Sequence, residues 1–288
     1  MPGTLASCIA TEAPLGQKPV LFVLPGIADN ASLWAPLQEA FDCRIVRYLD
    51  WTEFLDGGLG AVVSDVARQI QIARQPGDLR LIGYSIGGQF GFAVAMALEA
   101  AGIPVSSLTL LDAGTEVSEI PRPFVRRTRE RLQAILAALV SRDGMANLVA
   151  KCLMLESMEP YLRRLARARH SKLQFGFDLY LHNRVKIQLM RRMYWPWWRE
   201  TIESRPSLAA PTFLFRAADH ARGEAADLGW RRFCPNLQVV QIAAGHKKMM
   251  DSPSIERIRE QLQSIFDQEG SARRIESVSE EADQSPTA

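Results

Sequence analysis

The chain has 288 residues, of which 47% are hydrophobic and 23% charged, the balance of a globular protein able to bury a sizeable core. Disorder throughout, a collagen-like chain and a coiled coil are thereby excluded. With 34 basic and 32 acidic side chains the formal charge is +2, which argues for neither a nucleic-acid nor an anionic-membrane partner.

Residues 1–19 lack a basic start followed by an apolar run, so they read as an N-terminal extension rather than an export signal. Nowhere does an apolar stretch approach the length of a membrane span. Residues 20–25 form a continuous apolar run closed by Pro25-Gly26, the pattern of a strand buried on both faces of a parallel sheet. Runs of the same kind occur at 44–49, 79–84, 107–111, 211–215 and 237–242. Helical spacing of apolar residues fills 59–74, 86–101, 223–233 and 253–268. Strands alternating with helices predict a doubly wound α/β sheet.

The alternation stops between Asp112 and Pro211. Leu132, Ile135, Leu136, Leu139 and Val140 share one face of a helix opened by Pro121 and Pro123, so this interval is expected to be a helical insertion. Residues 122–205 carry 18 basic and 7 acidic side chains, leaving 16 basic and 25 acidic elsewhere. A basic insertion therefore sits on an acidic body. Residues 271–288 are small, polar and acidic and are expected to form a disordered tail. Cys8, Cys43, Cys152 and Cys234 are scattered without a CxxC pair, which indicates neither a disulfide framework nor a metal site and fits a reducing, cytoplasmic setting.

Gly83-Tyr84-Ser85-Ile86-Gly87 follows a predicted strand and opens a predicted helix, the context of a nucleophile elbow. The turn is so tight that side chains two residues either side of the serine would collide, hence Gly83 and Gly87. A serine hydroxyl needs a base, and the sequence has four histidines, His170, His182, His220 and His246. His246 lies on the loop after the last strand, where an imidazole can reach Ser85. His170 and His182 fall in the basic insertion, and His220 lacks the chain order expected of the base. Two carboxylates can orient that base: Asp112, ending the strand beside the nucleophile strand, and Asp219, ending the next one. Asp112 is favoured because Asp219 could be a helix N-cap. Backbone N–H groups of Ile86 and Ile27 are the expected oxyanion donors.

Pro-Gly-Ile at 25–27, Gly-Tyr-Ser-Ile-Gly-Gly at 83–88, Leu-Leu-Asp at 110–112, Leu-Phe-Arg-Ala at 214–217 and Gly-His at 245–246 resemble the α/β-hydrolase thioesterases, most closely the thioesterase domains of nonribosomal peptide and polyketide synthases. That resemblance implies an α/β-hydrolase fold over 20–270, with a mostly parallel central sheet flanked by helices and a helical lid at about 113–205. It implies release of an acyl or peptidyl chain through a serine acyl-enzyme. The substrate would be a thioester on the phosphopantetheine of an acyl carrier protein or on CoA, with no metal or redox cofactor. In the assembly-line type the acid directly follows the strand after the nucleophile, which points to Asp112; in the discrete type it follows the later strand, which keeps Asp219 as the alternative. A basic lid over an acidic body suits an acidic carrier or the phosphates of CoA. Tyr194-Trp-Pro-Trp-Trp198 either lines an acyl pocket or anchors the lid. The other readings are a carboxylesterase or lactonase of the same fold, and a non-catalytic binding protein built on it.

Overall fold

A computed structural model describes residues 18–26, 31–46, 51–74, 79–115, 193–204, 206–220 and 225–283, with backbone alone for 31, 51–57 and 269–283. Six strands are described: β1 (Val20–Leu24), β2 (Asp42–Ile45), β3 (Arg80–Tyr84), β4 (Ser107–Leu111), β5 (Thr212–Ala217) and β6 (Leu237–Ile242). They form one sheet in the order β2-β1-β3-β4-β5-β6, every pairing parallel. This is the α/β-hydrolase type of architecture.

All five residues of β1 and of β4 are buried, because helices cover both faces of a parallel sheet and leave no polar side. Alternation sorts the side chains. Phe22, Leu24, Leu81, Leu108 and Leu110 pack with α2 (Trp51–Ala73) and α3 (Ile86–Ala100) on one face. Leu21, Val23, Ile82, Leu111 and Phe215 pack with α1 (Ala35–Gln38) and the long C-terminal helix α5 (Ser254–Asp283) on the other. The two edges differ from the centre: β2 is half-buried throughout, and β6 exposes Gln238, Val239 and Gln241.

A helix over 193–203, α4, closes the outside of α3. Phe92 sits between Trp198 and Trp230, ring centroids 6.2 and 5.0 Å away, and Phe90 packs on Trp197 at 6.2 Å. With both sides covered, every residue of α3 from Ile86 to Ala95 is buried. Tyr194, Trp197 and Trp198 thus anchor α4 on the body. Residues 116–192, most of the expected lid, and residues 1–17 lie outside the described residues.

Two expectations are corrected. Residues 225–233 are not a helix but turns ending in a single 3-10 turn, Trp230–Arg232. Leu228 and Gly229 both take positive φ, 47° and 84°, and no helix passes through two consecutive left-handed residues. The chain from 271 to 283, expected to be disordered, continues α5, because its alanines, arginines and glutamates favour helix and outweigh the single Gly270. Residues 284–288 lie outside the described residues.

The strand ends are level. Leu24 pairs with Gly83, Gly83 with Leu110 and Leu111 with Phe215, so the carboxyl ends of β1, β3, β4 and β5 gather along one edge of the sheet. The chain leaves β1 toward β2 and then returns to the other side of β1 with β3. Ser85 therefore comes directly after β3 at the topological switch point, where α/β sheets open a crevice at the carboxyl ends of their strands.

Candidate active site

Ser85 joins β3 to α3 with φ 54° and ψ −122°, a positive φ that costs a non-glycine residue about 1–3 kcal/mol. Backbone bonds on both sides hold it: its N–H donates to Leu111 O at 2.9 Å, and its carbonyl accepts from Gly88 N–H at 3.0 Å. The glycines around it leave the space the turn needs. A Cβ at Gly83 would overlap the Gly87 carbonyl and lie 2.6 Å from Gly88 Cα, and one at Gly87 would overlap the Leu24 carbonyl and lie 2.6 Å from Pro25 O. Backbone cannot yield as a side chain can. Gly87→Ala is therefore expected to destabilise the protein by about 3 kcal/mol, read as a lower urea midpoint. Gly91→Ala is the control: its new Cβ would meet only a Leu24 methyl at 3.4 Å and a Leu108 methyl at 3.6 Å, and stability should change by about 1 kcal/mol or less.

Asp112, the first residue after β4, also has a positive φ, 46°, and its side chain is fully buried. Its Oδ2 lies 2.7 Å from His246 Nδ1. Its Oδ1 accepts from Ala217 N–H at 2.7 Å and lies 2.7 Å from His220 Nε2. Burial alone would push this carboxyl up, but the hydrogen bonds from His246, Ala217 and His220, with the charge of His220, outweigh it and hold the group below its ordinary value. An ionised carboxylate only accepts, so His246 Nδ1 carries the proton that faces it, and in the neutral ring the lone pair is on Nε2.

His246 begins a 3-10 turn after β6. Its ring stacks on Tyr84, centroids 5.1 Å apart and planes 23° apart, and its carbonyl accepts from the Tyr84 hydroxyl at 2.8 Å. Tyr84 directly precedes Ser85, so the imidazole stands beside the elbow. Asp219 meets the backbone of His246 instead of its ring: the amide donates to both carboxylate oxygens at 3.1 and 3.2 Å. That approach requires Gly245, where a Cβ would come within 2.5 Å of Asp219 Oδ2.

The segment after Asp112 is clamped by side chains. Carbonyls of Ala113, Gly114 and Thr115 accept from Trp230 Nε1 at 2.5 Å, Gln89 Nε2 at 2.6 Å and Trp198 Nε1 at 2.9 Å. The Tyr194 hydroxyl of α4 donates to Gln89 Oε1 at 3.0 Å. Three carbonyls, two of them buried, are thus satisfied without regular structure, and Asp112 is fixed from its C-terminal side.

The sequence profile of the Thioesterase domain family matches residues 19–265. The chain belongs to this thioesterase family. Several solved structures are similar to it. One is the NocB thioesterase domain in covalent complex with a fluorophosphonate nocardicin G analogue, 16% identical, covering 86% of this chain and 95% of that one with a TM-score of 0.55. Another is the Vlm2 thioesterase domain bound with a dodecadepsipeptide, 18% identical, covering 89% and 98% with a TM-score of 0.55. A third is a four-domain nonribosomal peptide synthetase bound to AMP and glycine, 16% identical, of which 20% is covered against 87% of this chain, with a TM-score of 0.54. Comparison with the curated proteins finds no match.

Of the residues singled out in the sequence, the thioesterase structure brings together Asp112 and His246, and places Ser85 and Ile86 one strand away at the start of α3. Ile86 is the first residue of that helix, so its N–H is among those without an intrahelical acceptor. Ile27 lies outside the described residues. Sequence reasoning passed over His220, judged on chain order, Tyr84, which stood in the elbow motif without a role of its own, and Gln89, which carries no motif. His220 had one available signal: it comes after Asp219 just past the carboxyl end of β5, where side chains of this fold converge.

Proposed function

We propose that this thioesterase releases an acyl or peptidyl chain from a phosphopantetheine or CoA thioester through an acyl-enzyme on Ser85. Ser85 Oγ attacks the thioester carbonyl while its proton passes to His246 Nε2, and Asp112 stabilises the imidazolium so formed. The tetrahedral oxyanion is received by the N–H groups of Ile86 and Ile27. The C–S bond then breaks and the departing sulfur takes the proton from His246. A water molecule, or a nucleophile within the acyl chain, attacks the acyl-enzyme with His246 again as base and returns Ser85.

The observation supporting this reading is the 2.7 Å contact of His246 Nδ1 with a buried, ionised Asp112, in a ring stacked on the residue before a strained serine. The donor is inferred as a carrier-bound thioester, because the similar structures are thioesterase domains and a synthetase and because the 122–205 segment is strongly basic. No helix among the described residues is long and apolar enough to cross a membrane. Cys43 and Cys234 are free thiols, in keeping with a cytoplasmic setting.

Intact-mass spectrometry tests the proposal. Incubation with an acyl-loaded carrier protein or an acyl-CoA is expected to add the acyl mass to Ser85 and release free thiol. Turnover of oxygen esters with no transfer from either thioester would overturn it in favour of a carboxylesterase.

A further inference from the structure

Asp112 is asked to serve two imidazoles. One negative charge, fully buried, faces His246 Nδ1 through Oδ2 and His220 Nε2 through Oδ1, each at 2.7 Å. His220 is 21% exposed and His246 40%, so the second histidine is the better shielded of the two. Two imidazoles and a carboxylate are also the donor set of many metal sites. Here the ring nitrogens point at the carboxylate oxygens, not at a common centre, and among the described residues no metal-binding group is found.

We propose that His220 is a positioning residue for the thioesterase reaction: by donating from Nε2 to Asp112 Oδ1 it orients the acid and shares the acid's charge with His246. The inference rests on the acyl-enzyme reading and adds a residue to it. With Ala217 N–H on the same oxygen at 2.7 Å, the carboxylate is held at both ends and cannot turn about its Cβ–Cγ bond. Rigidity matters because His246 rides on a short 3-10 turn and takes the orientation of its ring from Oδ2 and from Tyr84.

Charge sharing has a direction. A donor on Oδ1 draws negative charge away from the Oδ2 that faces His246, so the field felt by the imidazolium formed during turnover depends on His220. The titratable groups gathered here, among the described residues, are Asp112 from β4, His246 from the turn after β6 and Asp219 beside His220 on the loop after β5. Asp219 is engaged with the His246 amide.

The test compares wild type with His220→Leu and His220→Gln in the full chain, using NMR titration of the His246 ring and the pH profile of thioester turnover. In His220→Leu, the NMR midpoint of the His246 ring and the pH profile of turnover should both move from their wild-type positions. At the same time kcat should fall about tenfold to a hundredfold with KM nearly unchanged. In His220→Gln, whose amide can still donate to Oδ1, most of kcat should return. If His220→Leu does not fold, His220→Ala takes its place in both measurements. A His246 titration identical in wild type and variants would overturn the inference. A wild type that neither turns over thioesters nor acylates Ser85 would instead overturn the acyl-enzyme reading, a separate outcome because the NMR titration needs no substrate.

Discussion

Ser85→Ala is expected to lower thioester turnover by about 10⁴-fold or more while leaving the fold stable. Alanine keeps the Cβ and so inherits the backbone strain of serine at φ 54°. Among the described residues no hydrogen bond of the hydroxyl holds the elbow, whose two retaining bonds are from backbone N–H groups. Stability should therefore change by about 0.5 kcal/mol or less. A fluorophosphonate probe separates loss of chemistry from loss of structure: attack of Ser85 Oγ on phosphorus expels fluoride and leaves a covalent adduct visible by mass. Wild type should be labelled and Ser85→Ala should not. If the variant retained turnover, Ser85 would not be the nucleophile; if it lost turnover but retained the biological effect, the non-catalytic reading would gain.

Asp112→Asn should be nearly as damaging, with kcat reduced about 10⁴-fold, whereas Asp219→Asn should cost less than about tenfold. The difference lies in what each carboxylate meets. At Asp112 the buried Ala217 N–H, 2.7 Å from Oδ1, requires an acceptor, so the asparagine carbonyl takes that side and its NH2 faces His246. A donor facing Nδ1 forces the proton onto Nε2, and the ring can no longer accept from Ser85. At Asp219 the partner is the His246 amide, which an asparagine carbonyl still accepts.

Acid also separates the two variants. Asp112 is held below its ordinary value, so it binds fewer protons folded than unfolded. Its stabilising contribution is complete above the unfolded carboxylate value of about 4 and disappears as pH falls through the lower folded value. Asp112→Asn should lose that part of the acid dependence in a melting-temperature series from neutral pH downward. Asp219→Asn should keep it. Equal kinetic losses in both variants would contradict the separation of roles.

The six strands and the elbow were legible in the residues because each is written in adjacent positions. An all-apolar run such as 20–24 has few alternatives to a doubly covered strand, and glycines at 83 and 87 around a serine answer to sterics within five residues. Most boundaries moved only by a residue or two, as at β5, which runs to Ala217. Residues 225–233 misled because apolar spacing says nothing of the left-handed pair at 228 and 229. The C-terminal stretch misled because acidity was weighed above helix propensity.

Which carboxylate meets the imidazole was of another kind. Asp112 and Asp219 both end strands and both satisfy the chain order, so local chemistry could not separate them. Their partners, 134 and 27 positions away in the chain, depend on the course of the turn after β6. Gly245 brings the His246 amide onto Asp219 and so turns its ring toward Asp112. His220 makes the same point more sharply: nothing near it in sequence says that its ring ends on a carboxylate 108 residues earlier.

Strands, elbow and family membership thus come from the order of residues, since apolar burial and backbone sterics act over short spans that any stretch of chain carries with it. The pairing of Asp112 with two histidines, the docking of Asp219 on a backbone amide and the clamp on residues 113–115 arise only when distant loops meet. Hydrogen bonds have a reach of about 3 Å, and a sequence carries no measure of distance until the chain is folded.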